Sequence, residues 1–232
     1  MFNFFRNYDK PGKGVRENEP KKKGIFLFFE IIKRNIKTFI MLNALFILTS
    51  IPIITIGPSF AALSYVMKNY ADGEHSWGAS EYFSAFKKYL SKGIITEIVF
   101  FLFGFGIIYN LIYFTYTDGL MAIYFRWLLT ALLVIYCIIH CYVYTLMVSS
   151  EENVLELFTD AFILALAKLP LNIVSLAGIL LYPAIILIIY FSPIIPIYIT
   201  SSICGAMILF TAFSFVQFAA VFYTNSIIKK FR

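Results

Sequence analysis

Beyond residue 24 the chain is a succession of apolar runs, about five of them long enough to cross a membrane, between Phe39 and Ile227. A helix needs ~20 apolar residues to span a ~30 Å hydrocarbon core. In lipid it must also satisfy its own backbone polar groups. These runs therefore predict an all-α, polytopic transmembrane helical bundle of about five spans, within a range of four to six, with interfacial amphipathic helices. Composition agrees: 60% of residues are hydrophobic and 14% charged, with a mean hydropathy of +0.81. Soluble domains average about 45–50% apolar and about 25% charged residues. The apolar excess is more than a soluble core can bury.

Residues 1–24 are polar and rich in Lys, Gly and Pro, without the apolar core and small-residue cleavage site of a signal peptide. They read as a flexible basic tail of cytosolic type, and residues 25–232 as one transmembrane domain. An amphipathic approach helix starts at Ile25 and carries Lys33, Arg34 and Lys37; the first span follows over 39–56, with Pro52 and Pro58 at its far end. A short interfacial helix is expected over 59–70. Tyr82, Phe83, Phe86, Tyr89 and Leu90 fall at helical spacing, with Lys87, Lys88 and Lys92 on other faces. The remaining spans are expected over 93–115, 120–148, 171–191 (interrupted by Pro183) and 197–227. A second amphipathic helix over 151–168 is ended by Pro170. Both amphipathic helices feed directly into a span, which gives a faint internal repeat.

The positive-inside rule and the basic N-terminal region place the N-terminus in the cytoplasm. Five spans would then put Lys68, Lys87, Lys88, Lys92 and the basic C-terminus outside, a conflict that a span count wrong by one would remove. A basic cluster abutting membrane segments points to anionic lipid headgroups rather than nucleic acid, since no recognition module accompanies it. Cys137, Cys141 and Cys204 lie in apolar runs and make no disulfide framework.

The run from Asn43 to Leu63, NALFILTSIPIITIGPSFAAL, resembles the hallmark of the YesL-like family, bacterial integral membrane proteins of unknown function. The likeness extends to the aromatic, basic helix around Phe83, Phe86, Lys87 and Lys88, and in hydropathy to about residue 225. It implies a multi-pass protein of the bacterial plasma membrane. Genes of that family often lie beside carbohydrate ABC importers, which implies an accessory part in sugar uptake with importer subunits as partners. The family has no established catalytic residue to carry over.

Within that frame, Pro52, Thr55, Gly57 and Pro58 form a turn, read either as a broken-helix binding site or as a structural kink. Asn43 in the same run is a candidate for bonding across to another helix. Ionisable residues inside spans are functional candidates by default. Glu97 and His140 come to one depth by helical rise, whereas Arg126 lies ~14 Å away from Glu97 along the membrane normal. Glu97 with His140 is therefore the candidate polar couple, for a proton relay or sugar contact, against simple snorkelling of each. Cys137, His140 and Cys141 share a helical face at metal-ligand spacing. Free Cys is also a common buried hydrophobe, and we assign no metal, cofactor or catalytic residue. Gly104, Gly106 and Gly178 read as helix-packing contacts.

The leading reading is a non-enzymatic membrane accessory or scaffold associated with carbohydrate uptake, alone or as a homo-oligomer. A small transporter or channel is the alternative, and a membrane-embedded enzyme the third. Asn43, Glu97, Asn110, Arg126, His140 and Gln217 are sparse polar groups for a sugar path.

Overall fold

A computed structural model describes residues 24–74, 76–191 and 196–231. Apart from Gly24, the basic tail expected over 1–24 lies outside them. Every regular element described is helical.

Helix α1 (Ile25–Thr49) joins the expected approach helix to most of the expected first span. Only a kink at Asn35 separates the two parts, where the Asn35 amide donates back to the Ile31 carbonyl at 2.9 Å. The helix stops at Thr49 rather than at residue 56. Pro52 lacks an N–H and disfavours helical geometry at Ile51 before it. A single 3-10 turn, Ile53–Thr55, follows, and α2 (Ile56–Asp72) runs back until Gly73 closes it with a φ of 79°.

Helix α2 corrects the expectation of an interfacial helix. Ser59, Ala61, Ala62, Leu63, Ser64, Val66 and Met67 are all buried. It packs against α1, α9 (Phe213–Phe231) and the three helices that follow it: α3 (Ala79–Lys88), α4 (Leu90–Thr115) and α5 (Leu120–Ser149). The reason is the run of small residues on its first half, which lets neighbouring backbones approach closely. A stretch too short to span a membrane by itself is thus the hub.

The rest follows the hydropathy closely. Helix α6 (Val154–Ala167) opens with a capping box between Asn153 and Glu156. Pro170 does not end it; it sits in the first turn of α7 (Leu169–Tyr190), where a missing N–H costs nothing. Pro183 lies inside α7 without breaking it. Helix α8 (Ile197–Met207) continues through a π-helical segment, Ile208–Ala212, into α9 (Phe213–Phe231). Among the described residues four stretches are long and apolar enough to cross a membrane: α4, α5, α7 and Ile197–Lys230. Their outer faces expose large apolar side chains, Phe101, Leu102, Phe103 and Phe105 on α4 among them. That surface suits lipid and would be a liability in water.

The bundle has two unlike ends. Helices α4 and α5 are antiparallel, as are α7 and α8–α9, and Tyr142 on α5 bonds Asn172 on α7. One end therefore gathers the start of α4, the end of α5, the start of α7 and the end of α9. It holds Lys92, Glu151, Glu152, Lys168, Lys229 and Lys230, with Lys68 and Asp72 at the end of α2. The other end holds the α4–α5 connection with Asp118, and Arg126 is the basic residue nearest to it among those described.

Candidate functional site

Thr49, at the end of α1, is the centre of the first polar cluster. Its hydroxyl lies 2.9 Å from the Ser59 hydroxyl and 2.7 Å from the Tyr82 hydroxyl of α3. Burial pushes the Tyr82 phenol up to about 12. Thr55 closes the turn below: its hydroxyl reaches the Thr49 carbonyl at 2.6 Å and the Pro52 carbonyl at 2.7 Å. Ser59 in turn donates to the Thr55 carbonyl at 2.7 Å. Hydroxyls thus supply donors that the broken helix lacks.

Gly57 has no left-handed backbone angle. What it needs is the absence of a Cβ, because one built there would collide with the Gly93 carbonyl of α4. Pro58 lies against the same contact from the other side. Of the other glycines read as packing contacts, Gly104 meets the Tyr136 ring, whereas Gly106 and Gly178 face open space.

Asn43 is fully buried and uses its whole amide on the π-helical segment. Its nitrogen donates to the Ile208 and Leu209 carbonyls at 3.0 and 2.8 Å, and its oxygen accepts the Phe213 and Ser214 N–H groups at 2.9 and 3.1 Å. A π bulge displaces these backbone groups from their helical partners, and Asn43 replaces them. Asn172, which sequence reasoning passed over, works alike at the opposite corner. Its nitrogen donates to the Leu164 and Ala165 carbonyls, and its oxygen accepts the Tyr142 and Tyr223 hydroxyls, both at 2.8 Å.

Tyr144 stands between Glu97 and His140. The Tyr144 hydroxyl donates to Glu97 at 2.5 Å, while its ring packs on the His140 ring at 5.2 Å. Phe60 and Phe100 enclose the imidazole from other sides, at 5.2 and 4.8 Å. Among the described residues no hydrogen bond joins Glu97 to His140, and no group of three His, Cys, Asp or Glu side chains is placed to hold a metal ion. Cys137 and Cys141 remain free thiols beside the aromatic cage.

At the charged end Asp72 receives Lys229 at 2.6 Å, Lys68 at 3.1 Å and the Asn225 amide at 2.6 Å. Burial alone would raise its carboxyl, but the hydrogen bonds from Lys229, Asn225 and Lys68 outweigh it and hold the group below the usual carboxylate range. Gln217 donates to Ser64 at 2.7 Å, which ties α9 to α2 again.

Residues 39–111 match the family model described as a protein of unknown function, DUF624. This stretch, about a third of the chain, is similar to that family. That is the family to which YesL-like proteins belong, so the resemblance holds over the second half of α1, the turn, α2, α3 and most of α4. The matched stretch contains Asn43, Thr49, Pro52, Thr55, Gly57, Gly93 and Glu97. Tyr144, the partner of Glu97, and the π segment that Asn43 serves lie beyond it, as do His140 and Asn172. No curated protein and no solved structure matches the chain.

Proposed function

We propose that this chain is a non-enzymatic accessory or scaffold protein of the bacterial plasma membrane, associated with carbohydrate import. One observation carries the scaffold reading. Among the described residues the larger polar side chains inside the bundle bond to each other or to helix backbones, Asn43 to the π segment, Asn172 to α6 and two tyrosines, Gln217 to Ser64, Thr145 to Thr224, whereas the buried Thr96 hydroxyl does not. A sugar path needs unpaired donors and acceptors along its length, and these groups are already paired. The cavity that touches Asn172 holds only about 10 Å³, room for one water at most and none for a sugar. The link to carbohydrate import rests on the YesL-like resemblance of the matched stretch.

The charge distribution supports a cytoplasmic N-terminus. Lys68, Lys92, Lys229 and Lys230 gather at one end with the start of α1, and the positive-inside rule assigns that end to the cytoplasm. The conflict met in counting five spans disappears once α2 runs back toward the start of α1.

Affinity purification of the tagged chain from native membranes tests the reading. Subunits of a carbohydrate importer should co-purify in fixed stoichiometry. Recovery of the chain without importer subunits, together with sugar uptake into vesicles holding it alone, would replace a scaffold with a transporter.

A further inference from the structure

We propose that the turn between α1 and α2, together with Glu97, is an intramembrane docking site for a membrane-spanning helix of another protein, one that carries Lys or Arg in the half of the bilayer next to the charged end. The proposal rests on the scaffold reading and names the surface that reading would use.

The first observation is a carboxylate without a cation. Glu97 lies in the wall of an open apolar cavity of about 410 Å³, among Ile53, Ile54, Ile98 and Phe101. One of its oxygens accepts the Tyr144 hydroxyl. No basic side chain among the described residues pairs with the other. Lys92, the basic residue next to it along α4, is turned toward the Glu151 and Glu152 carbonyls instead. Carboxylates at membrane depth are costly and pair with a cation when one is within reach.

The second observation is the turn itself. Ile51 and Ile53 are 71% and 74% exposed on backbone that is not α-helical. Ile53 and Ile54 of the turn line the cavity with Ile98, Phe101 and Leu102, which stand ~20–26 Å along α4 from its end at Thr115. In a ~30 Å hydrocarbon core the turn is therefore submerged. Irregular backbone at that depth persists where protein covers it or water reaches it. The cavity walls are isoleucine and phenylalanine, so protein is the cover that fits.

A second copy of this chain does not fit. In a parallel copy Arg126, ~9 Å from the start of α5 at the far end, stays ~18 Å from the level of Glu97, and Lys92, Lys68 and Lys229 at the near end are already held by the Glu151 and Glu152 carbonyls and by Asp72. The cation must come from a different protein.

The test places a photoreactive benzoylphenylalanine at Ile54 of the full chain in native membranes. The expected adduct, sequenced by mass spectrometry, is a membrane-spanning segment with Lys or Arg within one turn of the cross-link. Glu97→Gln keeps the oxygen that accepts Tyr144, so it should leave the amount of chain in the membrane unchanged while lowering the adduct at least tenfold. Replacing the partner's basic residue with Gln should give the same loss with this chain unaltered, and Glu97→Asp should retain the adduct. Cross-links to lipid or to a second copy alone, a partner segment without a basic residue, or an adduct indifferent to Glu97→Gln would each overturn the proposal. Importer subunits that co-purify although the adduct ignores Glu97 would sink this site and leave the scaffold reading standing. A Glu97-dependent adduct with a protein unrelated to sugar import would do the reverse.

Discussion

Gly57 at the start of α2 and Gly93 near the start of α4 meet backbone to backbone. A Cβ added to Gly93 would stand 2.6 Å from the Pro58 nitrogen, and one added to Gly57 would overlap the Gly93 carbonyl. Neither neighbour is the flexible end of a side chain, so neither can swing away. The contact fixes where the central helix crosses the first long span, and so sets the position of Glu97 against the turn.

Gly57→Leu and Gly93→Leu should each lower the yield of folded, detergent-soluble protein several-fold. Even alanine should be harmful at both positions. Overpacking a side chain costs about 1–3 kcal/mol where neighbours can adjust, and here the obstacle is backbone. Gly106→Leu faces open space and should be tolerated. Equal yields for the Gly57 and Gly106 variants, measured by fluorescence size exclusion, would refute the close contact.

Asn43→Leu should lower the melting temperature in detergent clearly more than Asn110→Leu. The Asn43 amide answers two carbonyls and two N–H groups on another helix, whereas Asn110 is exposed and returns to the Gly106 carbonyl of its own helix. Leaving a buried group unpaired costs about 1–3 kcal/mol in water-soluble folds, and interhelical polar contacts in membranes average about 0.6 kcal/mol. Asn43→Asp should not rescue, because an ionised carboxylate has no donor for the Ile208 and Leu209 carbonyls.

Acid should loosen the end of α9 through Asp72. The folded state holds this carboxyl below its ordinary value of 3.8, so its contribution is present above that value and is lost as pH falls through the depressed one. Amide exchange at Asn225 and Ser226 should rise as the pH drops below about 3.8. In Asp72→Asn it should already be faster at neutral pH and should respond less to acid. An unchanged acid response in that variant would mean that other groups open this end.

Carbonate extraction should leave the protein in the pellet, since four stretches are of spanning length and character. With a membrane-impermeant maleimide on intact cells, Asp118→Cys should label and Lys230→Cys should label only after the membrane is opened. The unaltered chain, whose three cysteines are buried or half-buried, gives the blank. The opposite pattern would invert the orientation.

The bounds of the long apolar helices were legible in the sequence. The expected span over 120–148 is α5 (Leu120–Ser149), and the span over 93–115 ends where α4 ends. Hydropathy reports which residues avoid water, and the loop at Thr117, Asp118 and Gly119 ends the avoidance sharply. The effect of proline was legible only in part: the first span was expected to run to residue 56 but stops before Pro52, and Pro170, expected to end a helix, opens α7. Which faces meet was another matter. A helix facing lipid and a helix facing another helix are both apolar, so α2 reads as an interfacial element although it is the hub. Only tertiary packing decided that Gly57 would lie on Gly93, that Asn43 would serve a π bulge more than 160 residues away, and that Tyr144 would stand between Glu97 and His140. Within a membrane the contrast between wet and dry faces, which guides such inferences in soluble proteins, is missing; small residues and paired polar groups choose the contacts instead, and their partners are fixed in three dimensions.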